Sequence, residues 1–148
     1  MFENVKNIFK KGDKSLPHEV FISYSTMDKE FADEVCQLLE SNGFKCWIGP
    51  RDLPSGVNYA ETIINAIKSS RVFVILFSKH ANESQYVNQE ITVAFQSEIK
   101  VIPVRIDDSL PYNELEFYLS RLRWIDAYYD KPKAFELLVE SIRKLLRD

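Results

Sequence analysis

Val72-Phe73-Val74-Ile75-Leu76-Phe77 is an apolar run without alternation. A half-buried strand alternates apolar and polar side chains, so this run predicts a strand covered on both faces. Such strands lie in the middle of parallel sheets, with helices packed on either side. The flanking sequence has the matching texture. Val20-Phe21-Ile22-Ser23-Tyr24 is a short β-rich run, followed by a helical pattern carrying Phe31, Val35, Leu38 and Leu39. Asn42-Gly43 ends that helix, and Phe44–Ile48 reads as the second strand. A loop rich in Pro and Gly, Gly49–Gly56, leads to a helix carrying Ala60, Ile63, Ile64 and Ile67. After the central run, a third helix near 83–97 carries Val87, Ile91, Ala94 and Phe95. Val101–Ile106 reads as a strand, and Pro103 places it toward an edge or at a bulge. A weak helix near Tyr112–Leu119, a fifth strand at Leu122–Asp126 and a last helix through Phe135, Leu138, Ile142, Leu145 and Leu146 complete the pattern.

Strand–helix alternation repeated five times predicts an α/β chain with a flavodoxin-like five-stranded parallel sheet, order 2-1-3-4-5, with helices on both faces. Ligands of such sheets bind outside the carboxyl ends of the strands, near the point where the order reverses. The loops after Tyr24, Ile48 and Phe77 are therefore the ones that matter. Residues 17–148 form this one domain. Residues 1–16 are a lysine-rich lead-in in which Phe2, Val5, Ile8 and Phe9 recur at roughly helical spacing before Gly12-Asp13-Lys14. They read as a short helix or loose arm, or as a docking element for a partner.

Composition narrows the chemistry. With 148 residues, 45% hydrophobic and 28% charged, the chain can bury a full core without disulfides or metal. Its net charge of −3 offers no basic footprint for nucleic acid or a membrane surface. No apolar stretch is long enough for a transmembrane helix, and the N-terminus lacks the apolar core of a secretory signal. A cytoplasmic location is expected, with Cys36 and Cys46 as free thiols. Those cysteines, with His18 and His80, are too scattered for a structural zinc site. Gly12, Gly43, Gly49 and Gly56 compose neither a dinucleotide fingerprint nor a P-loop. Strand three ends Leu76-Phe77-Ser78 without the aspartate a phosphoacceptor receiver needs. Ser25-Thr26-Met27-Asp28 has hydroxyls but no glycine, which argues against a flavin loop.

Four segments then point to one family. Val20–Ser25, Trp47–Gly56, Ser84-Gln85-Tyr86-Val87-Asn88-Gln89-Glu90 and Arg121–Asp126 match, in order, the first box, the second box with its BB loop, a Ser-x-Trp-x-x-x-Glu signature and the third box. Over residues 18–147 the chain resembles a Toll/interleukin-1 receptor (TIR) domain of the prokaryotic type. Many such domains hydrolyse NAD+, and some cyclise the ADP-ribose product. The resemblance implies Glu90 as the catalytic glutamate, NAD+ as substrate, and neither cofactor nor metal. It implies self-association with other TIR domains and a place in prokaryotic antiviral signalling, with a separate sensor or effector as a further partner. The alternatives are a non-enzymatic interaction or scaffold module, and a nucleotide-binding protein without turnover.

The chemistry of the residues fits the enzyme reading. Cleaving the nicotinamide–ribose bond builds positive charge on the ribose, which one carboxylate can stabilise. Nicotinamide departs as a neutral molecule, so no second carboxylate is needed as an acid. Tyr86 and Glu90 lie four apart on one helix face, beside the core positions Val87, Ile91 and Ala94. Tyr86, standing where the family usually has tryptophan, can stack on the cationic ring. By resemblance, the Ser25 and Thr26 hydroxyls contact the ribose or phosphates; their simpler role is capping the next helix. Arg51 can pair with the pyrophosphate, or internally with Asp52, or with another subunit. Tyr59 is matched to an aromatic covering the adenine or nicotinamide side. Ser84 reads as a helix cap, and Trp47 and Trp124 as packing residues.

Overall fold

A computed structural model describes residues 18–147. The expected helical lead-in at residues 1–16 lies outside them. The sheet is entirely parallel, in the order β2-β1-β3-β4-β5. Its strands are β1 (Val20–Ser23), β2 (Cys46–Ile48), β3 (Val72–Phe77), β4 (Lys100–Arg105) and β5 (Ile125–Asp126). The helices among the described residues are α1 (Lys29–Ser41), α2 (Tyr59–Lys68), α3 (Lys79–Glu83), α4 (Gln85–Gln96), α5 (Asn113–Leu119) and α6 (Lys131–Arg147). A 3-10 turn at Thr26–Asp28 precedes α1.

Side chains alternate across a strand, so each strand feeds two cores. One face carries Val20, Ile22, Ile48, Val72, Val74 and Leu76 against α1 and α6. The other carries Phe21, Trp47, Phe73, Ile75 and Phe77 against α2, α3, α4 and α5. Every residue of β3 is 0% exposed, as the unbroken apolar run requires. The second face is aromatic. Phe21 is register partner to both Trp47 and Phe73. Its ring stacks on Trp47 at 5.0 Å and 7°, and on Phe73 at 5.5 Å and 2°. Phe77 meets Trp124 edge-on at 5.0 Å.

Two local outcomes differ from the periodicity. The helix expected near 83–97 is α4, with Ser84 in extended backbone (φ −83, ψ 116) as its cap; the short α3 before it is unexpected. The Ser84 Oγ accepts from the Val87 N–H at 3.2 Å, while Ser78 caps α3 in the same way. The fifth strand shrinks to two residues, since Leu122 and Trp124 turn into the aromatic core and the Trp124 indole donates to the Leu119 carbonyl at 2.9 Å. Pro103 does lie at an edge. The Ile106 N–H donates to Phe77 O, so by alternation position 103 faces away from β3. There β5 pairs only with Val104 and Arg105, and no ladder bond is lost.

Asn58 sets the start of α2 by accepting from the Glu61 N–H at 2.9 Å. Asn58→Ala is expected to cost about 1 kcal/mol in urea unfolding, with the folded spectrum unchanged. A loss indistinguishable from zero would show that the α2 packing alone sets that end.

Candidate functional site

The reversal point of the sheet lies between β1 and β3, and a cleft of about 360 Å³ opens beside it. Phe21 and Ile22 of β1, and Trp47 of β2, form its floor. Gly49, Pro50 and Leu53 of the second-box loop form one wall, and α2 and α4 form the other through Tyr59, Ile63, Ser84, Tyr86 and Glu90. Tyr24 and Thr26 close the end nearest α1. The Tyr24 hydroxyl donates to the Gly49 carbonyl, tying β1 to the loop.

Glu90 occupies the sixth position of α4, half-buried, with the core face of its helix defined by Val87, Ile91 and Ala94. Ser23 Oγ, at the end of β1, donates to Glu90 Oε1 at 2.7 Å. Burial pushes the Glu90 carboxyl up to about 7, against the opposing pull of the Ser23 hydrogen bond. Among the described residues no lysine, arginine or histidine forms an ion pair with it. A half-desolvated carboxylate without a countercation is poised to meet a cation brought by a ligand.

The expected partner of Glu90 is in place. Tyr86, 59% exposed, projects at the mouth of the cleft, and its ring meets that of Tyr59 edge-on at 5.5 Å and 63°. The two tyrosines form an aromatic rim beside the carboxylate, and both also border a smaller apolar hollow between α2 and α4. Thr26 lines the cleft, but Ser25 does not. Ser25 is buried, and its Oγ accepts from the Met27 N–H at 3.3 Å, capping the 3-10 turn. Ser84 combines its cap with a place on the cleft wall.

Arg51 is held away from the cleft. Its guanidinium donates bidentately to Glu40 at 2.8 and 2.9 Å, to Asp52 at 2.8 and 3.1 Å, and to the Cys46 carbonyl at 3.0 Å. It borders a separate polar hollow of about 350 Å³ behind Gly49-Pro50, with Lys29 and Asp33. The internal pairing with Asp52 is thus the arrangement present, strengthened by Glu40. Trp47 packs as expected, buried and stacked on Phe21, and it also borders the cleft. Ser23 was missed by sequence reasoning; the one available signal was a lone hydroxyl closing an otherwise apolar strand.

A parallel sheet in the order 2-1-3-4-5, with a glutamate on α4 facing a cleft beside the end of β1, fits a TIR domain. The family profile described as TIR domain matches residues 20–139, and the chain belongs to that family. It is 28% identical, over 99% of its length and 44% of the relative's, to a protein of Methanobrevibacter olleyae named a probable 2' cyclic ADP-D-ribose synthase, TcpO. It is 28% identical, over 91% of its length and 42% of the relative's, to a protein of Theionarchaea archaeon (strain DG-70-1) named NAD(+) hydrolase TcpA. The chain thus spans less than half of these curated relatives. Among solved structures, it superposes on the TIR domain of the Toll-related receptor TRR-2 from Hydra magnipapillata with a TM-score of 0.73 at 24% identity, covering 85% of this chain and 98% of that one.

Proposed function

We propose that this TIR domain cleaves the nicotinamide–ribose bond of NAD+, releasing nicotinamide and either ADP-ribose or a cyclic ADP-ribose. The observation that carries this is Glu90: a half-buried carboxylate on the cleft wall, beside an aromatic rim, with Ser23 as its hydrogen-bond partner. The names of the archaeal relatives support the same chemistry. Tyr86 and Tyr59 flank the pyridinium ring. The ionised Glu90 lies beside the ribose and stabilises the positive charge that develops as the bond to nitrogen breaks. Nicotinamide leaves with the bonding electron pair, and no proton is required. Attack by water gives ADP-ribose; attack by a group of the same nucleotide gives the cyclic product.

The cleft suits half of the substrate. No lysine or arginine is among the described residues that line it, and Arg51 is committed to Glu40 and Asp52. The pyrophosphate brings two negative charges that need donors from elsewhere. We place those donors on a second TIR domain, or on Arg51 after the loop rearranges. A separate sensor or effector would control that assembly in prokaryotic immune signalling. A cytoplasmic setting belongs to the proposal, supported by the buried free thiols Cys36 and Cys46.

The test is nicotinamide release from NAD+, followed over a wide range of protein concentration and with product chromatography. Specific activity is expected to rise with concentration, by about tenfold or more where assembly supplies the missing charge. A flat concentration dependence with full activity would remove the assembly requirement. No release at any concentration, or in a crowded solution that drives assembly, would leave the domain as an interaction module.

A further inference from the structure

We propose that Ser23 is a positioning residue for Glu90: it holds one carboxylate oxygen so that the other faces the substrate, and it sets how readily Glu90 ionises. The inference rests on the reading of Glu90 as the reactive carboxylate, and it adds a residue on a different element to that site.

Ser23 ends β1 and is 1% exposed. Its main chain is fixed by register with Ile75 of β3, so its Oγ has little freedom. It donates to Glu90 Oε1 at 2.7 Å, a charge-assisted distance. Glu90 reaches that point from α4, which packs over β1 on the aromatic side of the sheet. The bond therefore joins a rigid strand end to a helix and orients the carboxyl group. Oε1 is occupied by Ser23, which leaves Oε2 for the ribose.

The other groups near Glu90 do not supply this function. Tyr24, just after β1, and Tyr59 of α2 are phenols, both held above their ordinary range, chiefly by burial. Tyr86 is a further phenol on the same helix. The floor and loop contribute Phe21, Ile22, Trp47, Gly49, Pro50 and Leu53, none of them titratable in the neutral range. Thr26 and Ser84 are the remaining hydroxyls of the cleft; the Ser84 Oγ caps its own helix. Removing the Ser23 hydroxyl leaves a desolvated carboxylate without a donor, and its neutral form gains.

The experiment uses the full chain with ¹³C-labelled glutamate, with Glu90→Gln assigning the Glu90 carboxyl signal. In Ser23→Ala the titration midpoint of that signal is expected to rise by about one pH unit. The acid limb of the pH profile for nicotinamide release should move by the same amount. The drop in kcat is then about tenfold near pH 6.5 and shrinks toward pH 9, while KM for NAD+ changes less than kcat. Ser23→Thr, which keeps the hydroxyl, should leave the midpoint close to wild type. An unchanged midpoint in Ser23→Ala, or an equal rise in the alanine and threonine variants, overturns the proposal. If the wild type releases no nicotinamide, the reaction reading fails, and the carboxyl titration still decides whether Ser23 sets the ionisation of Glu90.

Discussion

Glu90→Gln is expected to reduce nicotinamide release by about 10²–10³-fold or more while making the protein more stable at pH 8. The two effects have one cause. Wild-type Glu90 titrates near 7 in the folded chain, against an ordinary 4.5. Between those values the folded state holds a proton that the unfolded state has lost. Glu90 therefore favours folding below about pH 4.5, and that contribution is lost as pH rises through about 7. Above it, the folded protein carries a partly desolvated charge with no cation beside it. Glutamine keeps the shape, accepts from Ser23 and carries no charge. At pH 8 the substitution should stabilise by about 2–3 kcal/mol, and at pH 4 by almost nothing. Urea unfolding at the two pH values measures the difference. For the wild type, activity should rise with pH through about 7 as the carboxylate forms. A Glu90→Gln variant that releases nicotinamide as fast as wild type would remove Glu90 from the mechanism. One that is no more stable at pH 8 would mean that the charge is better solvated than its burial implies.

Phe21→Ala should cost about 3–5 kcal/mol, a large share of the ~5–15 kcal/mol a domain of this kind has. Phe21 is 1% exposed and lies between two parallel rings, with Trp47 at 5.0 Å on one side and Phe73 at 5.5 Å on the other. Truncation loses the buried ring and both stacking contacts, and leaves a cavity between strands that cannot close up. It also removes part of the cleft floor beneath Tyr59 and Glu90. The expected readout is a lower urea midpoint together with weaker NAD+ turnover. Phe117→Ala is the comparison. That ring is 79% exposed on α5, and its removal should change stability by no more than about 0.5 kcal/mol. A Phe21→Ala loss as small as that of Phe117→Ala would contradict the packing described for the aromatic face.

The elements that could be read along the chain are those whose signal is local. Val72–Phe77 announces a strand with no solvent face, and each of its residues is fully buried. The period of Val87, Ile91 and Ala94 identifies the core side of α4, which places Tyr86 and Glu90 together on its flank. Pro103 marks an edge because a missing N–H is harmless only there. Elsewhere periodicity is silent or outweighed. The short α3 carries no apolar period of its own, and its start is set by the Ser78 cap, so only the packed structure shows it. Trp124 is a β-former, yet the aromatic core draws it and Leu122 out of β5.

Arg51 and Ser25 show where residue type alone is insufficient. A guanidinium beside a glycine-rich loop suits a pyrophosphate, and it equally suits two carboxylates; Glu40, eleven positions earlier on α1, reaches it bidentately. Ser25 has the hydroxyl a nucleotide contact needs, but its backbone turns that hydroxyl onto Met27. By itself, the sequence determined the sheet, its order and the family, and it singled out Glu90 as the candidate carboxylate, because burial on two faces, helical spacing and the four boxes are written in neighbouring residues. Only the tertiary structure decided what surrounds that glutamate. Ser23 stands 67 positions from Glu90, and Tyr59 lies on a different helix from Tyr86. Their meeting depends on how β1, α2 and α4 pack over one aromatic layer. That packing sets the desolvation that raises the carboxyl toward neutrality and the Ser23 hydrogen bond that opposes it, and no local pattern encodes either.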